Sequence, residues 1–166
     1  MQVEDDSNLL AFGRGMTNFE LIFVARKGVR PEEILIRRHP LGHLDYGSKL
    51  GIHDKSADSI EFISLCAQIY CTNSSVAFEA LLLEKPVRIL GDSPAACMSQ
   101  ERVSQLTAEE HLLCLNYLFL CYLAPDACLW DCDYYRWRLR RPSLIEIYDR
   151  HLAVYRRQKA DAGVSS

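Results

Sequence analysis

The pattern that most limits what this chain can become is a strand, turn, helix and second strand between residues 68 and 90. Residues 68–72 are short, mostly apolar and β-prone. Asn73, Ser74 and Ser75 come next, and all three are residue types that cap helices. Residues 76–84 read as a helix with Phe78, Leu81 and Leu82 on one face. Pro86 ends it, and residues 87–90 have the composition of a buried strand. A helix that starts at the C-terminal end of a strand directs unpaired N–H groups and its positive dipole end into a crevice, which suits an anion. Ser74 and Ser75 add hydroxyl donors for a phosphate. Glu79, one turn into the helix, is placed to accept from ribose hydroxyls. The same residues also serve as an ordinary N-cap and a favourable first turn.

The alternation extends to both sides. Thr17 or Asn18 is expected to cap a helix to Lys27, with Phe19, Ile22, Phe23 and Arg26 on one face and Gly28 as its stop. Residues 34–37 are expected to form a strand that ends in Arg38, His39 and Pro40, and residues 41–49 a polar loop. Residues 59–66 read as a helix capped by Ser56 or Asp58. Beyond Gly91 only helices follow. Thr107 and Glu110 form a capping box for an apolar helix that runs to about Leu123 and closes at Pro125. Pro142 and Ser143 open a last amphipathic helix. Strands alternating with helices imply an α/β domain with a parallel sheet, helices on both faces and a helical C-terminal extension. The expected division is residues 1–105 for the sheet domain, 106–158 for helices packing on it, and 159–166 for a disordered tail.

Composition narrows the function classes. A length of 166 residues suits one domain with a sizeable core. A net charge of −3 gives no sign of a nucleic-acid partner. Seven cysteines, an odd number mostly in apolar surroundings, read as reduced thiols of a cytoplasmic protein without a signal peptide. Cys128 and Cys132 lack a matching Cys/His pair, so no metal is expected. The apolar run 112–124 is shorter than the roughly 20 residues that span a bilayer. It reads as a core helix, with a peripheral membrane contact as the alternative. Phosphate-loop, dinucleotide and nucleophile-elbow motifs are absent from the sequence.

Open α/β sheets bind ligands beyond the C-terminal ends of their strands. Three loops are expected on that edge, carrying Arg37, His39 and Pro40; Asn73, Ser74 and Ser75; and Asp92. Together with Glu79 they suit a nucleotide phosphate. Pro40 would hold the backbone of His39 extended and aim its ring. His39 is the candidate catalytic group, stabilising charge on a leaving nucleotide electrostatically. Each also has a structural reading: a plain His-Pro loop, Arg37 and Arg38 solvated or paired with Glu32 or Glu33, and Asp92 as a turn residue.

Residues 34–40, Ile-Leu-Ile-Arg-Arg-His-Pro, and residues 72–87, which contain Thr-Asn-Ser-Ser-Val-Ala-Phe-Glu-Ala-Leu, resemble the bacterial capsular polysaccharide biosynthesis glycosyltransferases. These include Kdo transferases that use CMP-Kdo. The resemblance covers residues 1 to 155 and includes the opening Gln2 to Ser7 and the segment Asp133 to Arg138. It implies a Rossmann-like sheet, the C-terminal half of a GT-B fold. It assigns the CMP moiety of the donor to His39 and Pro40, and to Ser74 and Ser75, and matches Glu79 to the acidic residue of the following helix. The implied substrate is a nucleotide sugar, with no metal and no other cofactor. The acceptor, a glycan or glycolipid, would be held by an N-terminal domain that this sequence lacks. The implied location is cytoplasmic, at the inner face of the membrane. The alternatives are a CDP-glycerol glycerophosphotransferase-like domain, from which Phe78-Glu79 in place of Phe-Asp leans away, and a non-catalytic interaction fragment.

Overall fold

A computed structural model describes residues 7–39, 41–42 and 45–163. The chain divides into two compact units, residues 1–106 and 107–166.

The first unit opens with two helices, α1 (Ser7–Phe12) and α2 (Asn18–Ala25). Thr17 starts α2 with a complete capping box. Its hydroxyl accepts from the Glu20 N–H at 3.2 Å, and the Glu20 carboxylate accepts from the Thr17 N–H at 2.8 Å. Gly28, at φ +80°, takes the left-handed turn that follows. The buried face of α2 matches the expected one only in part: Ile22 is buried as expected. Phe19 and Phe23 are exposed, whereas Asn18, Leu21 and Ile22 are buried. The reason is a polar anchor: Asn18 donates to the Tyr46 hydroxyl at 2.9 Å, and Tyr46 joins Ile22 and Ile36 in one apolar cluster.

The strands are short and come in two parallel pairs. Strand β1 (Leu35–Ile36) pairs with β2 (Ile52–His53), Leu35 opposite Ile52. Strand β3 (Ile69–Cys71) pairs with β4 (Val87–Ile89), Ile69 opposite Val87. Among the described residues the expected single sheet is therefore divided in two. Strand β2 has no counterpart in the sequence reading, because two residues are too few to show an alternation. Between the pairs runs α3 (Ser59–Leu65), capped by Asp58, whose carboxylate accepts from the Glu61 N–H at 2.8 Å. Between β3 and β4 runs α4 (Val76–Leu82), ended by Glu84 at φ +55° and followed by Pro86. A 3-10 turn (Pro94–Met98) and α5 (Gln100–Val103) complete the unit.

The second unit is helical. Thr107 and Glu110 form the expected capping box of α6 (Ala108–Tyr117), which continues as one π-helical turn (Leu118–Tyr122). Leu112 and Leu113 are exposed and no residue of α6 is buried, so this half of the apolar run is not a core helix. By length and composition alone the stretch Ala108–Cys128, 21 residues, is apolar enough to cross a membrane, although residues 123–125 within it are not helical. Helix α7 (Cys132–Leu139) is capped by Asp131, and α8 (Leu144–Gly163) by Ser143 with Glu146. Helix α8 runs through Lys159, where the sequence reading begins a disordered tail. Its buried positions include Ile147 and His151, and the Tyr134 hydroxyl meets His151 Nε2 at 2.8 Å.

Candidate functional site

In the first unit a cavity of about 460 Å³ lies between β1 and β3. Its walls come from both strands, from α2 and from α3, and are mostly apolar. The polar lining lies at both ends of the strands, with Glu33 and Gln68 ahead of β1 and β3, and Arg37 after β1 and Thr72 and Ser74 after β3. Arg37 and Ser74, two of the sequence candidates, thus face one space.

Arg37 is held in place. Its Nη1 donates to Asp54 Oδ2 at 2.5 Å and to the Ser56 carbonyl at 3.2 Å, and its guanidinium lies over the Phe62 ring at 5.8 Å. Asp54 follows β2, and its side chain is only 2 % exposed. Burial works against its charge, but the Ser56 hydroxyl and N–H and then the Arg37 guanidinium outweigh it, holding the carboxyl below its ordinary range. The partner of Arg37 is therefore neither Glu32 nor Glu33; Glu33 pairs instead with Arg30.

The turn between β3 and α4 is built differently from a plain N-cap. Ser75 has helical backbone angles and no side-chain capping bond, and its side chain lies in an exposed residue. Ser74 does the capping: its hydroxyl accepts from the Val76 N–H at 3.3 Å. Asn73 is buried and donates to the Asn8 carbonyl at 3.0 Å. Helix α4 has seven residues, so its dipole is that of a short helix. What distinguishes the junction is its unmet hydrogen-bonding capacity. Among the described residues, Thr72 Oγ1, Asn73 Oδ1 and Glu79 Oε2 are buried and have no hydrogen-bond partner. A buried polar atom left so costs about 1–3 kcal/mol. Of these three, Thr72 lines the cavity, whereas Asn73 and Glu79 do not.

The other candidates lie elsewhere. His39 is exposed, accepts from the Leu41 N–H through Nδ1 at 3.1 Å, and does not line the cavity. Pro40 lies outside the described residues. Asp92 is paired with Arg14, whose Nε donates to Oδ1 at 2.7 Å. Asp92 and Ser75 do not line the cavity either.

Thr72 and Asp54 are absent from the sequence candidates. Thr72 carries a weak signal, a hydroxyl on the last position before the polar turn. Asp54 carries none, because its partner lies 17 residues away and is brought to it only by the β1–β2 pairing.

No protein-family model matches this chain, and no curated protein matches it.

Proposed function

We propose that this chain provides the donor-nucleotide pocket of a glycosyltransferase of capsule or surface polysaccharide synthesis, with a CMP-linked sugar such as CMP-Kdo as donor. The observation that carries the reading is the junction after β3. Ser74 and Thr72 line the cavity at the C-terminal ends of parallel strands, and Thr72, Asn73 and Glu79 each keep a buried polar atom unpartnered. In this reading the two strand pairs are parts of the Rossmann-like sheet of a GT-B C-terminal domain.

The roles follow from the side chains. The Ser74 and Thr72 hydroxyls donate to phosphate oxygens. Arg37, at the same mouth, offers positive charge to the phosphate while Asp54 fixes its position. His39, exposed and outside the cavity lining, has no contact with the donor in this reading. Charge that builds on the leaving nucleotide is then met by fixed donors, with no metal. The acceptor, a glycan or glycolipid, is held by a separate acceptor domain, at the cytoplasmic face of the membrane.

Calorimetric titration with CMP, CDP and UDP tests this. CMP should bind saturably, and Ser74→Ala and Thr72→Val should each weaken it about tenfold, or about 1.4 kcal/mol. His39→Ala should leave it unchanged. A preference for CDP moves the reading to a glycerophosphotransferase-like domain. Failure of all three nucleotides to bind the folded chain, or affinity indifferent to Ser74→Ala, overturns the donor site.

One observation favours a second reading, an interaction module. The second unit exposes Leu112, Leu113, Leu139 and Ile145, and Trp130 is 93 % exposed. Such side chains would serve as partner contacts if they lie together in one patch.

A further inference from the structure

The turn between α7 and α8 concentrates charge of one sign. Residues 136–145 hold four arginines and no carboxylate, in a chain whose net charge is −3. The nearest carboxylates in sequence, Asp133 and Glu146, are taken up by Arg136 and by Ser143. The same ten residues carry three exposed aliphatic side chains. Leu139 is 81 % exposed, Ile145 is 74 % exposed, and Leu144 is exposed with them. Side chains with that exposure project from the surface and line no groove.

The fold keeps these residues together. The Arg140 N–H donates to the Trp137 carbonyl and the Arg141 N–H to the Arg138 carbonyl, both at 3.0 Å, so α7 ends in a tight turn. Ser143 then starts α8, with its N–H donating to the Glu146 carboxylate at 2.8 Å. The π-helical turn holds both sides. Arg138 Nη1 donates to the Cys121 carbonyl at 3.3 Å, and Cys121 Sγ donates to the Leu144 carbonyl at 3.8 Å.

The arginines divide by task. Arg138 is committed to Cys121, and Arg136 meets Asp133 at 2.9 Å. Arg140 and Arg141 are exposed, and among the described residues neither meets a carboxylate. Arg141 lies at φ +55°, the left-handed position that follows many helices. Glycine or asparagine would fit that backbone with less strain; arginine adds a charge at the tip of the turn.

We propose that this turn docks the chain on a phospholipid surface with anionic headgroups. Leu139, Leu144 and Ile145 enter the boundary between headgroups and acyl chains, and Arg140 and Arg141 meet the phosphates around them. Charge and shape together select this occupant. Unpaired guanidinium groups call for anions, and they pair well with phosphate oxygens. Aliphatic side chains that project from a tight turn call for a partner that yields around them. A lipid surface does so without a matching pocket, which a folded acidic protein would have to supply. The inference goes beyond the donor site and does not depend on it, since no residue of the first unit enters it.

The test is sedimentation of the full chain, without nucleotide, with phosphatidylcholine vesicles that contain or lack phosphatidylglycerol. Binding to the anionic vesicles should be saturable, about tenfold or more tighter than to the neutral ones, and weaker as salt is raised. Leu139→Ser combined with Ile145→Ser should weaken it by about tenfold or more. Arg140→Gln combined with Arg141→Asn should do the same, since asparagine tolerates the left-handed backbone and only the charge is lost. Leu10→Ser, at an exposed leucine of the first unit, should leave binding unchanged. Circular dichroism checks that each variant is folded. Equal binding to neutral vesicles, no binding to either kind, or binding that either double variant leaves unchanged overturns the proposal. Retention on poly-glutamate without vesicle binding overturns it too, and assigns the turn to an acidic protein partner.

Discussion

Replacing Asp54 by Asn isolates the interaction that fixes Arg37 at the mouth of the cavity. The substitution keeps the size of the side chain and an oxygen that can accept from Ser56, but removes the charge that meets Arg37 at 2.5 Å. A hydrogen bond between charged groups contributes about 1.5–3 kcal/mol. The Asp54 side chain is 2 % exposed and that of Arg37 26 % exposed, so water recovers part of the loss on the Arg37 side. The expected cost is about 1.5–2 kcal/mol. With a urea slope of roughly 1.5 kcal/mol/M for a unit of this size, the midpoint should fall by about 1 M. The pH dependence has a definite sign. The folded-state pKa of Asp54 is lowered, so its contribution is whole above the unfolded value of about 3.9 and fades as pH falls through the folded value. Urea titrations of both proteins at pH 7 and about pH 3 check this. The gap should be full at pH 7 and narrow in acid. A midpoint unchanged at pH 7, or a gap of the same size at pH 3, would refute the assignment of Asp54 as the charged anchor of Arg37.

Three further outcomes are expected. His151 is buried, and burial first and the Arg138 charge second lower its pKa, so the unfolded chain binds more protons just below pH 6.5; thermal stability of the helical unit should fall from pH 7.5 to 5, and His151→Gln should flatten that slope. A Cβ at Gly91 would meet the Phe12 carbonyl at 2.8 Å and the Thr72 carbonyl at 3.0 Å; Gly91→Ala should therefore cost about 2–3 kcal/mol in chemical denaturation, as overpacking against backbone does. Cys71 is buried with its thiol pushed up to about 11, chiefly by burial, whereas Cys132 is exposed; iodoacetamide at pH 7.5 should label Cys132 and spare Cys71 in the native state, as peptide mapping would show.

Local signals in this chain were legible from sequence. Thr17, Thr107 and Ser143 each stand three residues before a glutamate, and all three form the reciprocal bonds of a capping box. Asp58 caps α3 by the same local logic. Such bonds close within one helical turn, so a short window of sequence contains both partners. The β3–α4–β4 unit was legible for the same reason, with Glu84 and Pro86 punctuating it. The inward face of α2 was legible only in part. Phe19 and Phe23 are the more apolar choice, yet Asn18 is buried because Tyr46, 28 residues away, gives it a partner. Asn73, Ser74 and Ser75 were all candidate caps, and the helical backbone at Ser75 leaves that role to Ser74.

By itself, then, the sequence determined the helix starts, the strand–turn–helix signature at residues 68–90 and the α/β class, because each depends on bonds or periodicities a few residues long. The tertiary structure alone decided which candidates share a site. Arg37 and Ser74 reach one cavity, Asp92 is held by Arg14, and His39 stays on the surface. It also decided that the strands of the described residues form two separate parallel pairs. Those outcomes rest on which distant strands pair and which distant charges meet, and the free energy of such pairings belongs to the folded arrangement and is carried by no single stretch of the chain.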